Sequence, residues 1–364
     1  MANTPLDVQL LIIEWIYRLS QSMYVDYATL RACALVCRAW TSTAQCLLFR
    51  RLVSPYPVFD DHTISLILRI LRTLRARPHL SAHVRSVAIS LMSTVPDHSA
   101  YNISVAVALL ELCPHVQGIY VQDYLNYNSI PPELEARLRA IPLQPTFLQV
   151  IGEHSFVSVL RQIWPSLRVL DLTDASGSCL EGAADGTAPP ISMPGALQAL
   201  SLDTRNMAWL LAPNNDRAAL RHLALRYTSW PDVSWDQQPY ALDILHGIHT
   251  LSLQGSPPPH VLEHLAHLES LVFDCLPQGR TALPQSLRHV GYHPWNSPWE
   301  KTLSTGFAVA ALRALANLQL VTVTRCMSAV QMTRFEELSR DRGVEFVIYQ
   351  DRHYFPTLQD VDWI

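Results

Sequence analysis

The sequence predicts an α/β chain in two parts, a short three-helix module followed by a long array of strand-and-return units. Three observations predict it. In the first fifty residues apolar side chains recur at three- and four-residue spacing, as amphipathic helices require. Beyond residue 80 a six-residue pattern, apolar-x-x-apolar-x-apolar, returns again and again down the chain. Proline is plentiful (25 residues) and glycine scarce (12), which suits many short punctuated elements better than Gly-rich loop scaffolds.

Composition bounds the rest. Of 364 residues, 49% are hydrophobic and only 16% charged, which excludes general disorder and supplies ample core. A formal net charge of −4 gives no general footprint for nucleic acid. No run of about 18 apolar residues exists, so no membrane span is expected. The first twenty residues include Asp7, Glu14 and Arg18 and lack the basic start and unbroken apolar stretch of a signal peptide. Seven cysteines, an odd number without any C-x-x-C pair, read as reduced and mostly buried thiols rather than a disulfide or zinc framework. The expected setting is intracellular, cytoplasmic or nuclear.

The elements follow in order. Residues 5–19, PLDVQLLIIEWIYRL, place Val8, Leu11, Ile12, Trp15, Ile16 and Leu19 on one helical stripe. Pro5 and Asp7 stand where a first turn tolerates a missing N–H and welcomes negative charge. Thr29 to Trp40 repeats the pattern with Leu30, Cys33, Ala34, Cys37 and Trp40, and Thr43 to Phe49 gives a third short helix. Three such helices bury little surface alone and are usually completed by a partner or a neighbouring domain.

These residues carry a resemblance. Pro5 and Asp7 opening the first helix, then Leu35-Val36-Cys37-Arg38-x-Trp40, then Leu47-Leu48-Phe49, resemble the F-box, in the form found in fungal F-box proteins with leucine-rich repeats. The likeness covers about fifty residues and departs at Thr4, where the family usually has Leu. It implies a docking module for the adaptor subunit of SCF-type cullin–RING ubiquitin ligases and, through that adaptor, for the cullin. Carried over residue by residue, the adaptor-binding set, whether facing the adaptor or supporting that interface, is Pro5, Val8, Leu11, Ile12, Leu30, Val36, Cys37 and Trp40. Such a contact works as a helix-in-groove interface in which a few desolvated apolar anchors supply most of the energy.

The F-box-like domain is expected at 1–54, a bridging helix at 55–80 and the array at 81–364. In the bridge Ile64, Ile67, Leu68, Leu71 and Leu74 form an apolar stripe with Arg69, Arg72 and Arg75 opposite, a solvated face in a chain of this charge. The hexads begin at Val84, Val116, Leu167, Leu197, Leu220, Ile248, Leu268, Leu287, Leu318 and Val344, with a weak copy at Phe147/Val150. Pro114, Pro165, Pro194 and Pro284 stand just ahead of four of them and admit the chain into a strand. Helical material precedes several hexads, as at 103–113 and 309–318. Strand, variable return, strand is the leucine-rich-repeat signature, and it predicts an irregular solenoid with a curved parallel sheet and outer helices. Residues 173–196, rich in Gly, Ala and Pro, read as a flexible loop within the array. A doubly wound sheet would need a phosphate-binding Gly turn after an early strand, and none is present.

Chemistry is harder to find. His260-Val-Leu-Glu263-His264 matches the H-x-x-E-H order of some zinc peptidases, with Glu336 or Glu337 as a third ligand. Val261, Leu262, Leu265 and Leu268 make a buried stripe on the same segment, which occupies the place of a repeat's return helix. No nucleophile elbow, P-loop or dinucleotide fingerprint is recognisable. The sequence therefore assigns no catalytic residue, metal or cofactor. Trp230, Trp235 and Tyr240 in one proline-bearing loop, and Tyr292, Trp295 and Trp299 in another, are the candidates for contact with a target protein, since rigid aromatics serve as recognition anchors. Lysine is almost absent, with 26 Arg against the single Lys301, which a GC-rich coding composition explains most simply. The expectation is a substrate receptor for a ubiquitin ligase, binding an adaptor and an unknown protein but neither nucleic acid nor membrane. Its competitors are a repeat scaffold without a ligase and, remotely, a zinc hydrolase.

Overall fold

The structure, a computed structural model, describes residues 8–9, 11–13, 27–36, 38–53, 61–90, 96–123, 132–152, 165–173, 195–203, 219–226, 246–253, 262, 264–273, 283–292, 309, 312–324 and 329–349. It is an α/β protein whose chain divides into two units, Met1–Trp164 and Pro165–Ile364. The array foreseen at 81–364 is thus shared between both units. No helix among the described residues is long and apolar enough to cross a membrane.

The first unit opens with helical residues 8–9 and 11–13, then α1 (Tyr27–Val36) and α2 (Arg38–Arg50). There follow β1 (Arg51–Val53), α3 (Asp61–Ala76), α4 (Pro78–Ser81), β2 (Ser86–Ser90) and α5 (Pro96–Leu112). It closes with β3 (Gly118–Asp123), α6 (Pro132–Ala140) and β4 (Phe147–Gly152). The four strands pair in parallel and in sequence order. Register aligns Leu52, Val87, Ile119 and Leu148 in one row, and Ile89, Val121 and Val150 in another, all buried. α3 realises the bridging stripe, with Leu71 and Leu74 buried and Arg69, Arg72 and Arg75 exposed.

The second unit holds β5 (Val169–Thr173), β6 (Ala199–Asp203), β7 (His222–Arg226) and β8 (Thr250–Leu253). It continues with β9 (Ser270–Phe273), β10 (His289–Tyr292), β11 (Leu320–Thr324), α7 (Ala329–Arg342) and β12 (Glu345–Tyr349). These eight strands are again parallel and in sequence order. The period-two alternation of a strand sends the second and third hexad residues to one face. That face is sealed: Leu200, Leu223, Leu251, Leu271, Val290 and Val321, and Leu202, Leu225, Leu253, Phe273, Tyr292 and Val323, are all at most 2% exposed. A ladder of backbone bonds begins one residue ahead of the strands, as Arg221 N donates to Gln198 O (2.8 Å), His249 N to Arg221 O (2.8 Å) and Glu269 N to His249 O (2.9 Å).

Three strands depart from the hexad reading. β1, inside the segment assigned to the helical domain, spans three residues with Leu52 as its buried marker, too short a run to show a period. The weak copy at Phe147/Val150 is a full strand whose inward residues are Leu148, in register with Ile119, and Val150, in register with Val121. At the end of the chain the hexad from Val344 is one residue late, since Phe346 and Ile348 are the partners of Val321 and Val323. The cause is the helix ending. Gly343, at φ 65°, closes α7 with Val344 N donating to Ser339 O (2.8 Å) and Gly343 N to Arg340 O (3.2 Å), a Schellman pair that leads directly into the strand. The loop read at 173–196 lies, apart from Thr173 and residues 195–196, outside the described residues.

Candidate functional site

The amino-terminal helices pack around Ile13, Leu30, Cys33, Trp40, Ala44 and Leu47. On α1 the spacing of Leu30 and Cys33, and on α2 that of Trp40, Ala44 and Leu47, puts each set on one face. The Trp40 indole N–H donates to Gln9 Oε1 (2.7 Å), so the ring is both packed and hydrogen-bonded to the first helix. Thr41 Oγ1 donates to Ala34 O (2.9 Å), satisfying a carbonyl at the end of α1 where the chain turns into α2.

The other side of these helices is uncovered. Val8 is 47% exposed, Leu11 65%, Ile12 47%, Leu35 86% and Val36 61%. Five of the seven large hydrophobic residues found exposed among the described residues belong to this module. Scattered apolar residues are ordinary on a protein surface, but their concentration on one small module makes it the candidate interaction site. Val8, Leu11 and Ile12 share one helix face at i, i+3 and i+4, and Leu35 and Val36 end α1.

The residues assigned to adaptor contact therefore separate. Val8, Leu11, Ile12 and Val36 are presented to solvent. Leu30 (0% exposed) and Trp40 (9%) are not: they lie in the core that holds the helices, so any part they take in such a contact is supporting rather than direct. Periodicity identifies an apolar stripe without saying whether its own domain covers it. Pro5 and Cys37 lie outside the described residues. Leu35, absent from the assigned set, is the most exposed of the group, and its place off the Leu30–Cys33–Trp40 stripe is the signal that could have found it.

Of the aromatics proposed for target contact, Tyr292 is corrected. It is fully buried, its ring 5.5 Å from that of Phe273 and stacked 5.5 Å from that of Phe335 on α7. As the third residue of the hexad that begins at Leu287 it belongs to the inner row, a place incompatible with target contact. Trp230, Trp235, Tyr240, Trp295 and Trp299 lie outside the described residues.

The opposite face of the second unit's strands carries polar side chains that are nonetheless enclosed. Asp171, Ser201 and Thr322 are 1% exposed and Ser252 5%. His289 sits between strands, its Nδ1 2.7 Å from Ser270 Oγ and its Nε2 3.0 Å from Thr322 Oγ1. Burial holds the imidazole neutral by pushing its pKa down to about 4. His222 is shifted downward as well, by burial first and then by the nearby His249 and Arg221 charges. The hydroxyls of Ser201 and Ser252 are buried without hydrogen-bond partners.

His260 and Glu263 of the zinc-like string lie outside the described residues, while Leu262, Leu265 and Leu268 form the buried stripe expected of that segment. The His264 ring stands edge-on to that of His246 at 6.5 Å. Among the described residues no three His, Cys, Asp or Glu side chains gather as a metal-binding group. Cys33 and Cys113 are buried free thiols, and burial pushes the Cys113 pKa up to about 12, which suppresses the reactive thiolate. Cys46 is half-buried, with its Sγ 3.5 Å from both ring nitrogens of His83. Compared with known proteins, the chain matches no family model and no curated protein.

Proposed function

We propose that this chain is the substrate-receptor subunit of an SCF-type cullin–RING ubiquitin ligase. The observation that carries the reading is the uncovered apolar face of the amino-terminal helices, Val8, Leu11, Ile12, Leu35 and Val36. In this reading those side chains enter a groove of the adaptor, and the packed Leu30 and Trp40 beneath them keep the helices preorganised, so little ordering entropy opposes docking. The F-box resemblance at Pro5, Asp7 and residues 35–49 points the same way.

The strands that follow are read as an irregular leucine-rich-repeat solenoid that holds a target protein. Their strict sequence order, parallel pairing and buried hexad rows support that reading. The receptor performs no chemistry of its own. It tethers the target so that its lysines meet the charged conjugating enzyme at high effective concentration, and the partners transfer ubiquitin.

The test is size-exclusion chromatography of the purified chain mixed with the adaptor. A 1:1 complex is expected, and the double variant Leu35→Asp/Val36→Asp is expected to weaken it at least about 100-fold, because two anchors worth roughly 2 kcal/mol each are lost. Both side chains are exposed, so the variant should unfold in urea as the parent does. Absence of a complex, or a complex indifferent to the double substitution, overturns the reading.

A further inference from the structure

The turns that lead into β2, β3 and β4 line an open surface hollow of about 310 Å³ that the receptor reading leaves unused. Arg85, His115, Gln117 and Gln144 line it, together with Pro114 and Pro142. The turns are stacked by backbone bonds, with Gln117 N donating to Arg85 O (2.7 Å) and Thr146 N to Gln117 O (2.8 Å). Arg85 and Gln117 are thereby held on adjacent rungs, about 5 Å apart along the hydrogen-bonding direction. The two prolines fix φ in the walls and stiffen the site before anything enters it.

Every polar side chain in the lining carries N–H donors. Arg85 Nη1 donates to the carbonyls of Ala82 (2.7 Å) and Val84 (3.3 Å), which anchors the guanidinium against its own turn. The remaining guanidinium N–H groups, the His115 ring and the amides of Gln117 and Gln144 make no hydrogen bond or ion pair among the described residues. Among the described residues no carboxylate lines the hollow. A half-buried guanidinium without a counter-charge, facing a preformed polar hollow, is complementary to an anion.

We propose that this hollow binds a tetrahedral oxyanion of the phosphate class. Four oxygens spread in space can accept from an arginine fork, an imidazole and two amides arriving from different turns. The volume leaves room for the group that bears the phosphate. The proposal is independent of adaptor binding, since it uses none of the exposed helical residues.

Calorimetric titration of the whole chain tests it, with inorganic phosphate as probe and chloride of equal ionic strength as control. Saturable binding of phosphate alone is expected. Gln144→Glu, at an exposed position without hydrogen bonds, places a carboxylate in the hollow and should weaken binding at least tenfold without disturbing the fold. Arg85→Gln should abolish binding, and because it also removes the brace to Ala82 and Val84 it is read beside Gln144→Glu rather than alone. A short phosphoserine peptide and its unphosphorylated twin identify the source of the anion. Tighter binding of the phosphopeptide than of free phosphate assigns a phosphorylated protein, and equal or weaker binding assigns a small phosphate; both uphold the site. Heat equal to that of chloride, or wild-type affinity in both variants, overturns the proposal.

Discussion

Acidification should strike the second unit through His289. The ring is enclosed between β9 and β11, and burial lowers its pKa from 6.5 to about 4. Ser270 and Thr322 hydroxyls can accept as well as donate, so protonation keeps both hydrogen bonds, and the cost is one of desolvating charge. In the unfolded chain the same ring takes its proton near pH 6.5. Stability from burying the neutral ring is therefore fully present above that pH. It declines as the pH falls below 6.5 and is spent once the pH reaches about 4. A shift of this size corresponds to about 3 kcal/mol over the whole window and about 2 kcal/mol by pH 5. Urea unfolding of the full chain at pH 7.5, 6, 5 and 4.5 measures it, beside His289→Gln, which puts a non-titrating amide in place of the imidazole. The variant should lose less stability on acidification than the parent by that amount. Parallel pH profiles for the two proteins would refute the argument.

Two substitutions separate packing from presentation. Trp40→Ala should cost about 3–5 kcal/mol in urea unfolding, because it removes the largest side chain of the helical core and its hydrogen bond to Gln9. Trp40→Phe should recover most of that loss, which a direct-contact role for the indole would not predict. Tyr292→Ala should destabilise by a similar 3–5 kcal/mol by opening a cavity between Phe273 and Phe335, and a change below about 1 kcal/mol would return Tyr292 to the surface.

The hexads made most strands legible because a strand buried on one face must alternate, and Leu or Val at both inward positions leaves an unambiguous mark. Legibility failed where that mark is weak or displaced. β1 offers one inward residue, β4 opens with the outward Phe147, and β12 inherits its register from the Gly343 helix ending rather than from its own apolar residues. At the candidate docking face, sequence found the apolar content but not its sides. Leu30 and Leu35 are equally greasy, and only packing of one helix on another decides that the first is sealed and the second is 86% exposed. The hollow beside Arg85 left no trace in the sequence, because its lining comes from turns about 30 residues apart that only the strand ladder brings together.

The order of the strands has an evolutionary corollary. Within each unit every strand neighbours only those next to it along the chain, so no segment must pass between two others to reach its place. In-frame duplication or loss of a rung would leave the remaining pairings intact, apart from one new seam. Genes encoding such a ladder can change length by single rungs, and the reach of its edge can drift without the fold being reinvented.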